Sequence, residues 1–234
     1  MHDERPTADD DFRTGSIARV ERSKRDAMSW YDRLSPWYDT LVARLDRRPR
    51  NRGIELLDVQ NGQRVLDVGA GTGQALVSFA DDVGATGHVV GLDISEGMCS
   101  VARETVAAAH VGNRVAVVRG DAEELPFRSA TFDATFASFT LELFDTPVLP
   151  AVLEEWHRVL RDDGRLGVVA LSKRDAGAVT HAYERFHDLF PQYADCRPIY
   201  VNELLEATGF TVVEMESTSL WGLTVEVVVA RPTG

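Results

Sequence analysis

The sequence predicts a doubly wound α/β fold, and three observations carry that expectation. Short apolar runs recur at Arg64–Val68, His88–Asp93, Arg114–Arg119 and Phe132–Phe139, with helical stretches between the earlier ones. A glycine-rich turn, Gly69-Ala70-Gly71-Thr72-Gly73, follows the first run and opens a helix over Gln74–Ala80. Acidic residues stand at or just beyond the ends of three consecutive runs: Asp67, Asp93 and Asp121. Short apolar strands alternating with helices imply a parallel sheet covered on both faces. Ligands of such sheets bind at the carboxyl ends of the strands.

Each element has its own signal. Residues 1–15 are polar and are expected to be a disordered tail. The rest, residues 16–234, reads as one domain without internal repeats. Its start, 16–60, is assigned to N-terminal helices. Met28, Trp30, Tyr31, Leu34, Trp37, Tyr38, Leu41 and Leu45 give two short ones, interrupted at Ser35-Pro36 because proline disfavours helix in the residue before it. Ser95 caps a helix running to about His110. Pro147 sits where a first helical turn would start. Val148, Leu149, Val152, Leu153, Trp156, Val159 and Leu160 then repeat with helical period. Asp162-Asp163-Gly164 turns the chain into a fifth strand, Arg165–Leu171. Near the end, Phe210–Ser219 and Leu223–Ala230 leave room only for a turn at Trp221-Gly222, which makes a hairpin and one antiparallel strand. Lys173–Tyr200 is longer than an ordinary connection. It is expected to be a lid insertion carrying helices, with Tyr183, Phe186, His187 and Phe190 at helical spacing.

Composition excludes several functions. The formal net charge of −12 argues against nonspecific binding to a nucleic-acid backbone. Lysine occurs only at Lys24 and Lys173, which suits either a salt-rich cytoplasm or a GC-rich genome that favours arginine codons. Two cysteines, Cys99 and Cys196, are too few for a disulfide framework or a zinc cluster, so no metal is expected. The acidic start lacks an apolar signal core, and no apolar run reaches the roughly 20 residues of a membrane helix. The expected location is cytoplasmic, with no integral membrane segment.

The turn after the first strand is spaced G-x-G-x-G, unlike the dinucleotide fingerprint G-x-G-x-x-G. Asp67 precedes it. A carboxylate there suits an amine-bearing ligand and sits poorly beside a pyrophosphate. Asp93 ends the second strand, where a carboxylate can accept from the hydroxyls of a ribose. Gly120-Asp121-Ala122 follows the third strand. Asp121 can accept from an adenine amino group, and the Ala122 N–H can reach the ring.

These segments together resemble the class I methyltransferases that use S-adenosylmethionine (SAM). The resemblance rests on VLDVGAGTG (65–73), VVGLDIS (89–95), GDAEELPF (120–127), FDATFASF (132–139) and RVLRDDGRLGVV (158–169), and covers about residues 28–231. It implies a Rossmann-like, mostly parallel seven-stranded sheet with an antiparallel last strand. It also implies SAM as cofactor. Asp67, Gly69, Gly71 and Gly73 would hold its amino-acid end, Asp93 the ribose, and Asp121 with Ala122 the adenine, with Ile94 also among the cofactor-binding residues. Ser138 would lie beside the methionine portion. Tyr31-Asp32-Arg33-Leu34-Ser35-Pro36-Trp37-Tyr38-Asp39 further resembles the ubiquinone/menaquinone-biosynthesis (C-methyltransferase) type, in which Tyr38 would lie over the cofactor.

The implied acceptor is a small molecule, a quinol or lipid-like precursor. The subfamily pattern is incomplete, because such enzymes carry an Arg-Asn pair after the fourth strand where this chain has Glu142-Leu143 in SFTLELFD. A carboxylate there favours an amine-bearing metabolite, unless Glu142 is simply a surface acid. Deprotonating a phenol or quinol needs a base. His181 and His187 are candidates on imidazole chemistry, with Glu142 as a rival. Other readings are a nucleotide-cofactor oxidoreductase, which the glycine spacing and Asp67 oppose, and a noncatalytic SAM-binding regulator. A homodimer is compatible with the sequence.

Overall fold

The computed structural model describes residues 46–174, Tyr183 and residues 196–233. The first helix among the described residues, α1, spans Arg47–Leu57 and falls within the 16–60 helical region. The rest of that region that precedes residue 46, and most of the 173–200 insertion, lie outside the described residues. Beyond α1 run β1 (Arg64–Val68), α2 (Gln74–Val83), β2 (His88–Asp93), α3 (Glu96–Ala108), β3 (Val115–Arg119) and β4 (Phe132–Ser138). Two short 3-10 turns, Leu141–Leu143 and Thr146–Val148, lead to α4 (Leu149–Val159) and β5 (Leu160–Leu171). Then come α5 (Val201–Ala207), β6 (Phe210–Leu220) and β7 (Leu223–Pro232).

The strands form a seven-stranded sheet in the order β3-β2-β1-β4-β5-β7-β6. β1 pairs in parallel with both β2 and β4, while β7 runs antiparallel to both β5 and β6. The chain therefore winds outward from β1 to β3 and returns to β4 beside β1. This reversal opens a crevice at the carboxyl ends of β1 and β4, the usual ligand position in such sheets.

Both faces of the sheet are buried, which is why β1 is apolar without alternation. One face packs Leu66, Val68 and Val168 with Trp156 of α4 and Leu204 of α5. The other packs Val65, Phe136 and Val169 with Leu57 of α1 and Phe79 of α2. Gly53 lets α1 approach closely, since a Cβ there would stand 2.5 Å from Val169 Cγ2 and 3.0 Å from Phe136 Cε2.

Most predicted boundaries agree with the structure to within a few residues, and the differences are local. Helix α2 continues past Ala80 to Val83. Strand β4 stops at Ser138 because Phe139 turns into the left-handed region at φ 53°. Pro147 lies in a 3-10 turn and α4 starts at Leu149. Strand β5 starts at Leu160, five residues early. Leu160 pairs with Phe132 and Arg165 with Ala134, so Asp162-Asp163-Gly164 forms an irregularity within the strand. The terminal hairpin turns on Trp221 (φ 53°) and Gly222 (φ 83°), the double positive φ of a turn that matches strand twist. No helix among the described residues is long and apolar enough to cross a membrane.

Candidate active site

The glycine loop is built by backbone geometry. Gly69, Gly71 and Gly73 all have positive φ (71°, 53° and 83°), a region that side chains rarely tolerate. Gly69 and Ala70 donate their N–H groups to Leu92 O at 2.8 and 3.0 Å, which fastens the loop to the end of β2. Gly73 precedes α2 and abuts Ala102 of α3, where a Cβ would lie 3.0 Å from the Ala102 Cα. A Cβ on Gly69 would collide with the Thr140 side chain.

Three acids stand at or near the carboxyl ends of β1, β2 and β3 along this edge, in three different settings. Asp67 is 2% exposed, and its carboxyl takes no hydrogen bond from the described residues. Burial pushes its pKa up to about 7, while the Arg50 charge pulls it back. Asp93 is tied down: its carboxylate accepts from Gly71 N and Ser95 N, both at 2.9 Å. Asp121 accepts from Glu123 N at 3.0 Å. Next to it, buried Trp156 donates its indole N–H to Ala122 O at 3.3 Å. Gly120 N donates to Asp93 O at 3.0 Å, joining the ends of β3 and β2. Ile94 O accepts from Arg119 Nε at 3.2 Å.

At the crevice between β1 and β4 lies a cleft lined by Asp67, Gly69, Gly71 and Ser138, all predicted site residues. Ala70, Thr72, Gln74 and Ala75 of the loop and α2 complete one wall. Asp46, just before α1, and Arg50 of α1 also line the cleft, which the sequence did not suggest. Asp93 reaches the cleft through its bond to Gly71. Asp121 and Ala122 stand farther along the same edge and are not part of the cleft lining. The Ser138 hydroxyl is buried without a hydrogen-bond partner among the described residues. A buried carboxyl and a buried hydroxyl, neither hydrogen-bonded by the described residues, beside a glycine loop fit a ligand with an amino group and a close-lying chain. The residues present therefore suit the amino-acid end of SAM.

Glu142 is not a surface acid. It is fully buried after β4, and one oxygen accepts from Leu171 N at 3.1 Å. The other oxygen has no hydrogen-bond partner among the described residues. Burial pushes its pKa up to about 7, and the Arg197 guanidinium pulls the other way. Arg197 is itself buried, donating to Thr146 Oγ1 at 2.9 Å and to Phe144 O. Tyr38, His181 and His187 lie outside the described residues. Tyr183 donates its hydroxyl to Cys196 O at 2.8 Å. Among the described residues no group of His, Cys, Asp and Glu could hold a metal ion.

Comparison with known proteins agrees with this geometry. A methyltransferase domain family matches residues 65–164. A demethylmenaquinone methyltransferase of Listeria monocytogenes is 36% identical over 163 residues, covering 67% of this chain and 68% of that protein. The nocamycin O-methyltransferase of Saccharothrix syringae is 34% identical over 203 residues, covering 78% and 71%. Among solved structures, the cyclase SpnF superposes with a TM-score of 0.73 at 22% identity, covering 93% of this chain and 99% of that one. A Burkholderia thailandensis 1,6-didemethyltoxoflavin-N1-methyltransferase with bound S-adenosylhomocysteine gives 0.70 at 22%, covering 93% and 95%. These structural likenesses establish the fold.

A double-wound sheet, a G-x-G-x-G loop and a strand-edge row of acids, matched by relatives of this identity, define a SAM-using enzyme. The chain belongs to the class I SAM-dependent methyltransferases. Its cofactor is SAM and its acceptor a small molecule. The oxidoreductase and noncatalytic readings give way to this one.

Proposed function

We propose that the acceptor is a quinol-like or enolic small molecule carrying an ionisable hydroxyl, rather than an amine. The setting of Glu142 carries this reading. An amine-recognising carboxylate should face the ligand cleft, as Asp67 does. Glu142 is instead outside the cleft lining, sealed from solvent and held by Leu171 N. The curated relatives, whose names specify demethylmenaquinone and O-methylation, support the same acceptor class.

In the proposed site the Asp67 carboxyl receives the cofactor's ammonium, and the glycine-loop backbone lets the amino-acid chain approach. Asp93 with Ile94 holds the ribose, Asp121 and the Ala122 N–H the adenine, and Ser138 the methionine portion. SAM supplies a methyl group already activated by its sulfonium. The protein's task is then to hold the acceptor in line with it, which can lower a barrier by roughly 7–11 kcal/mol. Proton removal from the acceptor falls to His181 or His187, with Glu142 as a rival. A small-molecule partner is sufficient for this chemistry, and a homodimer is compatible with it.

The test is a panel of demethylated quinols, phenols, enols and primary amines incubated with SAM and the full chain, with products read by mass spectrometry. Methylated quinol or enol is expected. Methylation confined to amines would reverse the reading of Glu142.

A further inference from the structure

We propose that the tip of the β6–β7 hairpin, with Trp221 at its point, docks this protein onto a zwitterionic lipid surface. The proposal goes beyond the acceptor reading and does not depend on it. Trp221 is 70% exposed. It stands at φ 53° and is followed by Gly222 at φ 83°. Turns with two positive φ values favour Asn or Asp at the first position, and a bulky side chain is an outlier in the left-handed region. The turn itself therefore gives no reason for a tryptophan. Packing gives none either, since Leu220 and Leu223 beside it pack against the core while Trp221 stays exposed.

The register places this tip at the edge of the sheet where the cleft lies. Ser138 of β4 pairs with Val169 of β5, and Val169 pairs with Val227 of β7. β7 runs antiparallel to β5, so the chain from Val227 back to Leu223 extends past the level of Ser138. At 3.3–3.4 Å per residue the tip overhangs that level by about 13 Å. Its chemistry suits a bilayer interface. The run Ser217–Val225 carries no charge, although the chain has a formal net charge of −12 and Glu216 and Glu226 flank the run. An uncharged tip can enter the headgroup region without desolvating an ion, and tryptophan is enriched where one end of the ring is apolar and the other wet. The acidic chain is repelled by anionic headgroups, which leaves zwitterionic lipid as the surface. A protein partner fits less well. One tryptophan offers about 150–250 Å², against about 800 Å² that each side of a stable protein interface buries. The exposed Met215 does not enlarge the patch, because it lies about 20 Å back along β6. Docking by this tip would hold the carboxyl edge of the sheet toward the bilayer.

The test is flotation of the full chain with phosphatidylcholine vesicles that contain no acceptor, so the outcome is independent of which acceptor the enzyme uses. Wild type is expected to float with the vesicles, equally at about 0.1 M and about 1 M sodium chloride, because an uncharged contact is not screened. Vesicles with brominated acyl chains should quench part of its tryptophan fluorescence. Trp221→Asn should lower the partition coefficient by about tenfold to a hundredfold, the range for leaving one large apolar side chain in water, and abolish the quenching. Trp221→Phe should keep part of the binding. Asn suits the turn, so thermal melting of Trp221→Asn should stay at or above that of wild type, which separates lost docking from lost folding. Wild type that does not float, floats unquenched or is released by salt overturns the proposal, as does Trp221→Asn floating as wild type does. A wild-type dimer that Trp221→Asn turns into a monomer, with no binding to vesicles, would assign the tip to a second copy of the chain and overturn it equally.

Discussion

Gly71 donates its backbone N–H to the Asp93 carboxylate at 2.9 Å, joining the glycine loop after β1 to the end of β2. Asp93 thus shapes the loop as well as facing the edge where the ribose is proposed to lie. Asp93→Ala removes both effects and leaves Gly71 N and Ser95 N without their side-chain acceptor. Calorimetry should show SAM affinity falling by about 1–3 kcal/mol, the scale of leaving polar partners unpaired. Unchanged affinity would remove Asp93 from the site.

Gly69 is fixed by two independent constraints. Its φ of 71° disfavours any side chain, and the Thr140 side chain occupies the space a Cβ would need. Gly69→Ala should cost on the order of 1–3 kcal/mol of stability, seen as a lower midpoint in urea. Adding Thr140→Ser relieves part of the collision and none of the backbone strain, so it should restore only part of the loss.

These two constraints also show how far the sequence could be read. The strands β1 and β2 were legible to the residue because they are short apolar runs bounded by turn residues. The Ser95 cap was legible because its chemistry is local: its hydroxyl accepts from Met98 N at 3.1 Å. Asp67, Asp93 and Asp121 could be picked out by position alone. Asp46 and Arg50 could not. They sit in an arginine-rich stretch whose buried face is Pro49, Gly53, Ile54 and Leu57, and a glycine chosen for close packing reads as a helix breaker. Glu142 feels the charge of Arg197, which lies inside the 173–200 insertion, and no spacing rule announces a relationship between residues so far apart in the sequence. Phe139 looked like one more strand residue, because a left-handed backbone on an aromatic has no sequence signature.

Asp67 should couple cofactor binding to protons. Its pKa stands near 7 in the free protein, raised chiefly by burial. An ammonium beside it favours the charged form and lowers that pKa. Binding of S-adenosylhomocysteine near pH 6 should therefore release a proton, and affinity should rise with pH until about pH 7, then level off. Titration in buffers of different ionisation enthalpy measures the proton count. Asp67→Asn should abolish the release and weaken binding. If wild type releases none, the ammonium does not sit on Asp67.

Glu142 should make the fold less stable as pH rises. Its pKa is 4.5 in an ordinary setting and about 7 in the folded chain, raised first by burial. Below about pH 4.5 both states hold the proton and there is no penalty. Between about 4.5 and 7 the unfolded chain releases it while the folded chain keeps it, so stability falls with rising pH. Above pH 7 the loss is complete, on the order of 3 kcal/mol for a shift of this size. Glu142→Gln keeps an acceptor for Leu171 N and has nothing to ionise. Urea unfolding should find it more stable than wild type at pH 8 and equal to it near pH 4. A variant less stable at both pH values would mean that the carboxylate, not the acid, is the favoured buried form.

The central claim is that SAM binds across the carboxyl edge of β1, β2 and β3, with its amino-acid end in the cleft beside β4. A crystal structure of the full chain with S-adenosylhomocysteine tests it most directly. The account predicts the ammonium at Asp67, the ribose hydroxyls at Asp93 and the adenine beside Asp121 and Ala122, with Ser138 against the methionine chain. A ligand bound elsewhere, or bound along this edge in the opposite direction with adenine in the cleft, would contradict it.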